Sequence, residues 1–458
     1  MALLKRSHRC SGLLIGAAVG DALGAPFEFE KAGTYNARFP KSVYAGIGEM
    51  IGGGHCQWQP GEFTDDTQMA LSLALSILEF GDFNEDHVWS YWRSWAKNAK
   101  DIGNTTRHAL SFTDRSQVVH HNIENTAANG ALMRAFPIAL LNKSRDELKK
   151  IVLAQGKMTH PHPAASYGAW LGVAMMNSAI QGNDPFQTLE SELELLPEEL
   201  AKKFKDLLSP QWQPSADRIS NGSVWGCLAE AVWAVRNSKT FEESVIRAIN
   251  FGDDTDTVAC VAGAIAGAIH GIQAIPSRWT TYLNGVIYTP DKQIEFDNAS
   301  LSRLSRELAD LKHPPDNPDE LPARLEAIED CVFAANRSGA AGAPKEWAII
   351  SLCLVGDRFK NYKYRREIYL VDSPDDANPS IGMAVDDAVK SINAFLGEGR
   401  TVLVHCHGGR SRTGLILKAW KMKKEGWIGP AGEEKAHQWL TQKWDLYRNT
   451  HFQSYLIE

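Results

Sequence analysis

The chain has 458 residues, too many for one small module and enough for two or more folded units. Its 44% hydrophobic, 9% aromatic and 22% charged residues describe a globular protein with a large core and exclude a disordered chain. A formal charge of −7 excludes a general electrostatic grip on nucleic acid or on an anionic membrane surface.

In chain order, a short apolar stretch at 13–19 is followed at once by Asp21, so it is not read as a signal peptide. Apolar residues then recur at helical spacing over 69–78, 131–141, 164–180, 226–235 and 258–269, while alternating strand patterns are scarce. Small residues crowd several of these segments, as in Ala262-Gly-Ala-Ile-Ala-Gly-Ala268. Helix axes can approach closely there, which predicts a compact all-α domain. The 258–269 run falls short of the roughly 20 residues that a bilayer span needs and abuts three aspartates, so a buried helix is predicted.

Residues 313–320, His-Pro-Pro-Asp-Asn-Pro-Asp-Glu, can propagate neither helix nor strand. They predict a linker between a domain at 1–312 and a second at 321–458. Beyond it the texture changes. Strand-like runs at 347–355 and 401–405 alternate with helical patterns at 384–395 and 413–424, which predicts an α/β domain. The 321–345 segment carries no assignable pattern. Residues 400–458 hold ten basic and five acidic side chains, a local excess suited to an anionic ligand. Seven widely spaced cysteines without a Cys-x2-Cys pair predict a reduced, cytoplasmic setting.

Two acidic clusters, Thr64-Asp65-Asp66-Thr67 and Asp253-Asp254-Thr255-Asp256-Thr257, directly precede apolar helical runs and so sit at helix N-termini. One Thr or Asp satisfies a cap. Three aspartates within four residues exceed that need, because like charges at this density repel unless a cation sits among them. Hard oxygen donors without cysteine select Mg²⁺, Mn²⁺ or Ca²⁺ over zinc.

Four segments carry a specific resemblance: Gly20-Asp-Ala-Leu-Gly-Ala-Pro-Phe-Glu28, Phe63-Thr-Asp-Asp-Thr-Gln68, Asn129-Gly-Ala-Leu-Met-Arg134 and Gly252-Asp-Asp-Thr-Asp-Thr257. In this order and separation, across about 10–285, they resemble the ADP-ribosylglycohydrolase family. The resemblance implies an all-α fold and a pair of Mg²⁺ or Mn²⁺ ions held by Thr64, Asp65, Asp66, Asp254, Asp256 and Thr257. Asp253 stands where the family commonly has a small residue and is left out of that set. Glu28, otherwise a surface acid, matches a glutamate over the ribose. Asp101, otherwise a loop cap, matches an acid beside the scissile bond in the arginine-directed members. His160, which with His162 could form an ordinary turn, matches a position near the diphosphate. Cleavage at the ribose anomeric carbon passes through an oxocarbenium-like state. Two ions would bind ribose hydroxyls and acidify a water, and Asp101 or Glu28 would handle the proton. Backbone N–H groups of Asn129, Gly130 and Ala131 could approach the diphosphate because Gly130 has no side chain in the way.

In the second domain, His405-Cys-His-Gly-Gly-Arg-Ser-Arg-Thr-Gly414 joins a strand to a helix. Such a loop aims backbone N–H groups and a helix N-terminus at phosphate and favours a Cys406 thiolate over a thiol with a reference pKa of about 8.5. Arg412 would clamp the equatorial oxygens. Cys-x5-Arg-Thr with Gly409 resembles the dual-specificity branch of the protein-tyrosine phosphatases over about 345–458. Gly409 and Thr413 favour this over rhodanese-like proteins. The resemblance implies an aspartic general acid upstream. Asp372 fits best, with Asp375 and Asp376 as alternatives.

The chain therefore reads as a bifunctional hydrolase. It would release ADP-ribose from a modified side chain, arginine by resemblance, and hydrolyse a phosphomonoester through a cysteinyl-phosphate. Its expected partners are an ADP-ribosylated protein or ADP-ribose derivative and a phosphorylated substrate, with no general nucleic-acid binding and no membrane. The alternative is an ADP-ribose- or phosphate-binding immunity or adaptor protein without turnover.

Overall fold

The computed structural model describes residues 4–119, 123–214, 219–312, 321–353, 355–372, 378–447 and 449–457. The expected linker 313–320 and both Asp375 and Asp376 lie outside these residues.

The first domain is built around two antiparallel helices, Arg6–Gly24 and Thr255–His270, whose backbones touch. A Cβ placed on Gly12 would lie 2.3 Å from Gly267 O, on Gly16 2.4 Å from Gly263 O, and on Gly20 2.0 Å from Ala259 O. Glycine at every fourth position clears one stripe of the first helix, and Gly263 and Gly267 clear the facing stripe. Helices Pro163–Ile180, Val224–Arg236 and Phe241–Ile249 pack on the Thr255–His270 helix, and helix Asn298–Leu308 packs on Arg6–Gly24. The segment Arg6–Phe27 is long and apolar enough to cross a membrane, and 94% of its apolar window is buried inside this domain.

Two expectations for this domain are corrected. The single helix predicted over 131–141 is split into a short helix, Gly130–Met133, and a 3-10 turn, Phe136–Leu140, because Pro137 cannot donate a helical hydrogen bond. The domain is also not wholly α. A hairpin of β1 (Asn284–Tyr288) and β2 (Gln293–Asp297) pairs Gly285 with Phe296 and Ile287 with Ile294. Its five-residue strands bury little more than Ile287 and Phe296, too weak an alternation to stand out. The hairpin anchors the start of the acidic motif. Asn284 O accepts from Phe63 N at 3.0 Å, and the Phe63 ring packs over Gly285, which fixes the chain just before Thr64.

The second domain is a five-stranded sheet made from β3 (Leu325–Glu329), β4 (Val332–Asn336), β5 (Ala348–Ser351), β6 (Arg365–Glu367) and β7 (Val402–Cys406) in the order β3-β4-β7-β5-β6. All neighbours are parallel except β3 and β4. The unassigned 321–345 segment thus supplies two strands. The edge strand β6 (Arg365–Glu367) precedes the Asp372 segment. Central β7 is buried along its whole length between apolar layers on both sheet faces, and it delivers Cys406 to its C-terminal end, where open α/β sheets bind ligands.

The domains are hydrogen-bonded across their seam. Fully buried Arg366 donates to Tyr44 O at 2.7 Å, Gly46 O at 3.0 Å and the Tyr282 hydroxyl at 3.0 Å. Gln273 Nε2 donates to Asn378 Oδ1 at 2.7 Å, and Ser277 N to Asp387 Oδ2 at 2.8 Å. All seven cysteines are unpaired.

The helix contact makes a direct prediction. Gly20→Ala should destabilise the first domain by about 1–3 kcal/mol, since the added methyl meets backbone and cannot be accommodated by a rotamer change. Gly397→Ala, whose Cβ would meet nothing within 4 Å, should not. Paired thermal and denaturant melts of the two variants check this.

Candidate active sites

The C-terminal end of helix Arg6–Gly24 lies against the start of Thr255–His270, and a Cβ on Gly24 would be 2.6 Å from Asp256 Cα. Thr64 is the N-cap of helix Asp65–Phe80, accepting from Asp66 N at 3.5 Å. Across the gap, the Thr64 hydroxyl donates to Asp256 Oδ2 at 3.5 Å, and the Thr257 hydroxyl donates to Asp66 Oδ1 at 3.3 Å. The two acidic clusters, remote in sequence, therefore face each other. Asn129 Nδ2 donates to Asp254 Oδ2 at 2.8 Å. The Glu28 segment is tied to the same place, with Phe29 N donating to Asp253 O at 2.7 Å and Asp253 N to Glu30 O at 2.9 Å.

The proximity has an electrostatic consequence. Burial, followed by the charges of Asp101, Asp254 and Asp65, pushes the Glu28 carboxyl up to about 8. Burial and neighbouring carboxylates push Asp65, Asp66 and Asp256 well above the usual carboxylate range. Burial raises Asp254 too, against hydrogen bonds from Thr257 and Asn129. No lysine or arginine is among the groups acting most strongly on any of these acids.

Among the described residues, no three His, Cys, Asp or Glu side chains form a ready-made ion cage, so a cation here would also have to draw on the threonines. The donor chemistry fits a hard divalent ion: all the oxygens are carboxylate or hydroxyl, and Asp66 Oδ2 and Glu28 Oε2 are buried without a hydrogen-bond partner.

Asp101 lies on the loop before helix Asn104–Leu110, its carboxylate accepting from Ile102 N at 2.7 Å. Gly130 opens its short helix directly above His160, whose Cε1 would be 2.8 Å from a Cβ at Gly130. His160 Nδ1 shares a 2.7 Å hydrogen bond with Thr159 Oγ1, which accepts from buried Arg134 at 2.7 Å, while Ala131 O accepts from Gln155 at 2.9 Å. His160 thus supports the 129–131 turn from below. His162 caps helix Pro163–Ile180 by accepting from Ala164 N.

Three residues of this site escape a reading of the sequence. Asp21, fully buried, accepts from Thr64 N at 2.9 Å and Thr67 N at 3.0 Å and holds the turn that presents Asp65 and Asp66. Burial pushes its carboxyl up to about 6 against those bonds. Its place in Gly20-Asp21 was the available signal. Asn221 accepts from Asp254 N at 3.2 Å and donates to Gly252 O at 2.9 Å. Cys56 faces the acids, its thiol pushed up to about 11 by burial and by Asp101 and Glu28. Neither Asn221 nor Cys56 had a sequence signal.

In the second domain, Cys406 is fully buried at the end of β7. Gly409 has φ +72°, and a Cβ there would meet Ala335 O at 2.8 Å, so only glycine closes this loop. Trp444 Nε1 donates to Gly409 O at 2.6 Å. Helix Ser411–Glu425 follows immediately, with Arg412 and Thr413 in its first turn. Arg412 Nη1 donates to Leu352 O at 2.9 Å and Leu370 O at 3.2 Å, Nη2 lies 3.5 Å from Asp372 Oδ2, and Nε is buried without a partner. Asp372 therefore stands beside the cysteine loop. The Thr413 hydroxyl is also buried without a partner. His405 shares a 2.8 Å hydrogen bond with Ser351 Oγ, and burial pushes its pKa down to about 3, so the ring behind Cys406 is neutral.

The first domain is thus a helical body whose site is built from carboxylates and hydroxyls at two facing helix N-termini. The ADP-ribosylglycohydrolase family matches residues 3–317, and the chain belongs to that family. The ADP-ribosylarginine hydrolase Tri1 of Pseudomonas putida (strain GB-1) is 32% identical over 287 residues, 59% of this chain and 73% of that protein. The ADP-ribosyl-[dinitrogen reductase] glycohydrolase of Rhodospirillum rubrum is 30% identical over 279 residues, 60% of this chain and 90% of that protein. A solved ADP-ribosylglycohydrolase-related protein complex contains a chain that is 29% identical, with a TM-score of 0.55, over 67% of this chain and 99% of its own.

Asp21→Ala should cost about 1–3 kcal/mol, because it strands the N–H groups of Thr64 and Thr67 in a dry interior. Asp21→Asn, which keeps one acceptor oxygen, should cost less. Unfolding midpoints of the two variants test the assignment.

Proposed function

We propose that the first domain removes ADP-ribose from a modified protein side chain, arginine by preference, and that the second hydrolyses a phosphomonoester through a cysteinyl-phosphate. The observation that carries the first half is the convergence of Asp65, Asp66, Asp254, Asp256 and Glu28, with Asp101 beside them and no lysine or arginine among the groups acting most strongly on the first five. It is supported by the family and by a relative named as an ADP-ribosylarginine hydrolase. Two Mg²⁺ or Mn²⁺ ions held by Thr64, Asp65, Asp66, Asp254, Asp256 and Thr257 would supply Lewis-acid binding of ribose hydroxyls and an acidified water. Glu28 holds the ribose, and Asp101 handles the proton exchanged with the leaving group. The backbone at Asn129, Gly130 and Ala131 receives the diphosphate, with His160 fixing that turn. Unpaired cysteines throughout the chain support a reduced, cytoplasmic setting.

In the second domain, Cys406 Sγ attacks phosphorus while Asp372 gives a proton to the departing oxygen. The P–O ester bond breaks as the S–P bond forms. Water then attacks the phosphocysteine, Asp372 takes back a proton, and inorganic phosphate leaves with the thiolate restored. The unpartnered Arg412 Nε and the loop amides stabilise the equatorial oxygens, a role supported by the seating of Arg412 beside Asp372.

Asp66→Asn or Asp256→Asn should lower ADP-ribose release on the order of 100-fold or more while leaving phosphatase turnover intact. Chelation with EDTA should act likewise. ADP-ribosylarginine peptide should be cleaved faster than ADP-ribosylserine peptide. Full glycohydrolase activity in metal-free protein would overturn the two-ion reading, and a serine preference would remove Asp101 from its role.

Cys406→Ser should abolish turnover of p-nitrophenyl phosphate but retain vanadate binding. Asp372→Asn should slow alkyl phosphates far more than p-nitrophenyl phosphate, whose leaving group hardly needs a proton. Vanadate binding by the wild-type chain without any turnover would reduce the second domain to a binding module.

A further inference from the structure

The cysteine loop opens into a cavity of about 960 Å³ that is walled by both domains. His407, Gly408, Arg410, Ser411 and Arg412 line one side together with Asp372, and the opposite side is formed by first-domain residues that include Gln273, Ser277, Asn298 and Ala299. That volume is at the upper end of the roughly 300–1,000 Å³ typical of small-molecule sites.

The first-domain wall is held in place. Gln273 grips both ends of the segment that carries Asp372: its Nε2 donates to Tyr369 O at 3.2 Å and Asn378 Oδ1 at 2.7 Å, and its Oε1 accepts from Ser380 N at 3.4 Å. Arg365 donates to Thr281 O at 3.2 Å, and Glu367 N donates to Thr281 Oγ1 at 3.1 Å. A loosely tethered domain would lack such buried bonds.

The lining is polar in places where the chain leaves it unsatisfied. Ser277 is 2% exposed, Ser411 7% and Asp387 9%, and each lines the cavity and keeps an oxygen without a hydrogen-bond partner. Asn298 Oδ1 is unpartnered as well. Native interiors rarely leave such groups unpaired. Ser277 and Asn298 stand on the first-domain wall and Asp387 on the second, outside the backbone loop that would take a phosphate, while Ser411 belongs to that loop. The first three suit hydroxyl groups on the body of a ligand. Arg410, ion-paired with Asp445, and Arg412, beside Asp372, are the cations at the loop end. A phosphorylated side chain on a folded protein would have to be presented beside first-domain residues such as Asn298 and Ala299, whereas a compact molecule needs only the volume of the cavity.

We propose that this interdomain cavity is the substrate chamber of the cysteine loop and takes a small phosphomonoester with a hydroxylated body, a sugar or nucleoside phosphate, rather than a phosphorylated protein. The proposal rests on the phosphatase reading of Cys406, and the experiment separates the two. The full-length chain is assayed with p-nitrophenyl phosphate, ribose 5-phosphate, AMP, a phosphotyrosine peptide and a phosphothreonine peptide, and compared with Ala299→Trp, which fills the chamber from the first-domain side.

Ribose 5-phosphate or AMP should exceed both peptides in kcat/KM. Ala299→Trp should lower kcat/KM for the preferred small phosphomonoester at least tenfold, chiefly through KM, with ADP-ribosylarginine hydrolysis and the unfolding midpoint unchanged. Ala299→Ser should keep wild-type kinetics. Preference for a peptide, or an Ala299→Trp variant as active as wild type on ribose 5-phosphate and AMP, would overturn the chamber while leaving the phosphatase standing. If no phosphomonoester is turned over, the phosphatase reading fails, and calorimetric binding decides the chamber: ribose 5-phosphate or AMP bound by wild type and lost in Ala299→Trp supports it, and no binding overturns it.

Discussion

The first domain depends on two helix backbones meeting without side chains between them. Helices Arg6–Gly24 and Thr255–His270 run antiparallel with Gly12, Gly16 and Gly20 pressed against carbonyls of the partner. The contact continues past the helix interior to Gly24 beside Asp256, so the same approach that closes the core also sets the height of the acidic site. A side chain anywhere along the stripe would part the helices and move the Asp254–Thr257 turn away from Asp21 and from the Asp65–Asp66 turn that Asp21 holds. Packing and chemistry are therefore one constraint here.

What that contact assembles is unfavourable by itself. Carboxylates brought together in a buried place repel one another and resist ionisation, as the raised values of Glu28, Asp65, Asp66 and Asp256 record. The hydrogen bonds that hold these carboxylates come from backbone N–H, amide and hydroxyl donors. Backbone N–H groups of Thr64 and Thr67 serve Asp21, Asn129 serves Asp254, and Asn221 binds the backbone on either side of the turn. A lysine or arginine would cancel the negative potential, whereas amides orient the oxygens and leave it in place.

Legibility from sequence followed the range of the interaction. The helices around Met69, Trp170 and Val258 are legible because each is a long run of apolar and small residues, buried nearly all round, and the acidic motifs because charged residues at a helix start stand out locally. Nothing local marks Asn221 as the anchor of Asp254, since its role exists only once residues 221, 252 and 254 are folded together. Pro137 is a local break, yet the apolar periodicity around it predicts one helix where the chain makes two pieces. The hairpin carries little sequence signal because its strands are short, and β3 and β4 because neither shows a clean alternation to set beside the buried run of β7. The seam was invisible for a stronger reason: Gln273 and Arg366 are ordinary polar residues whose partners lie about a hundred or more positions away.

The helix Thr255–His270 links the two candidate sites in space. Asp256 stands at its start, and Gln273 follows just after its end, where it grips the segment carrying Asp372. Sixteen residues of α-helix span about 24 Å, so a compact ligand in the interdomain cavity cannot touch the acidic cluster. One small molecule cannot engage both sites at once, and neither can supply a catalytic group to the other. Any cooperation must then come from release of a product close to the second cavity, which raises its local concentration, or from a displacement of this helix, which both sites would feel. The buried seam favours the first route in the resting fold, because Gln273, Ser277 and Arg366 oppose sliding of one domain on the other.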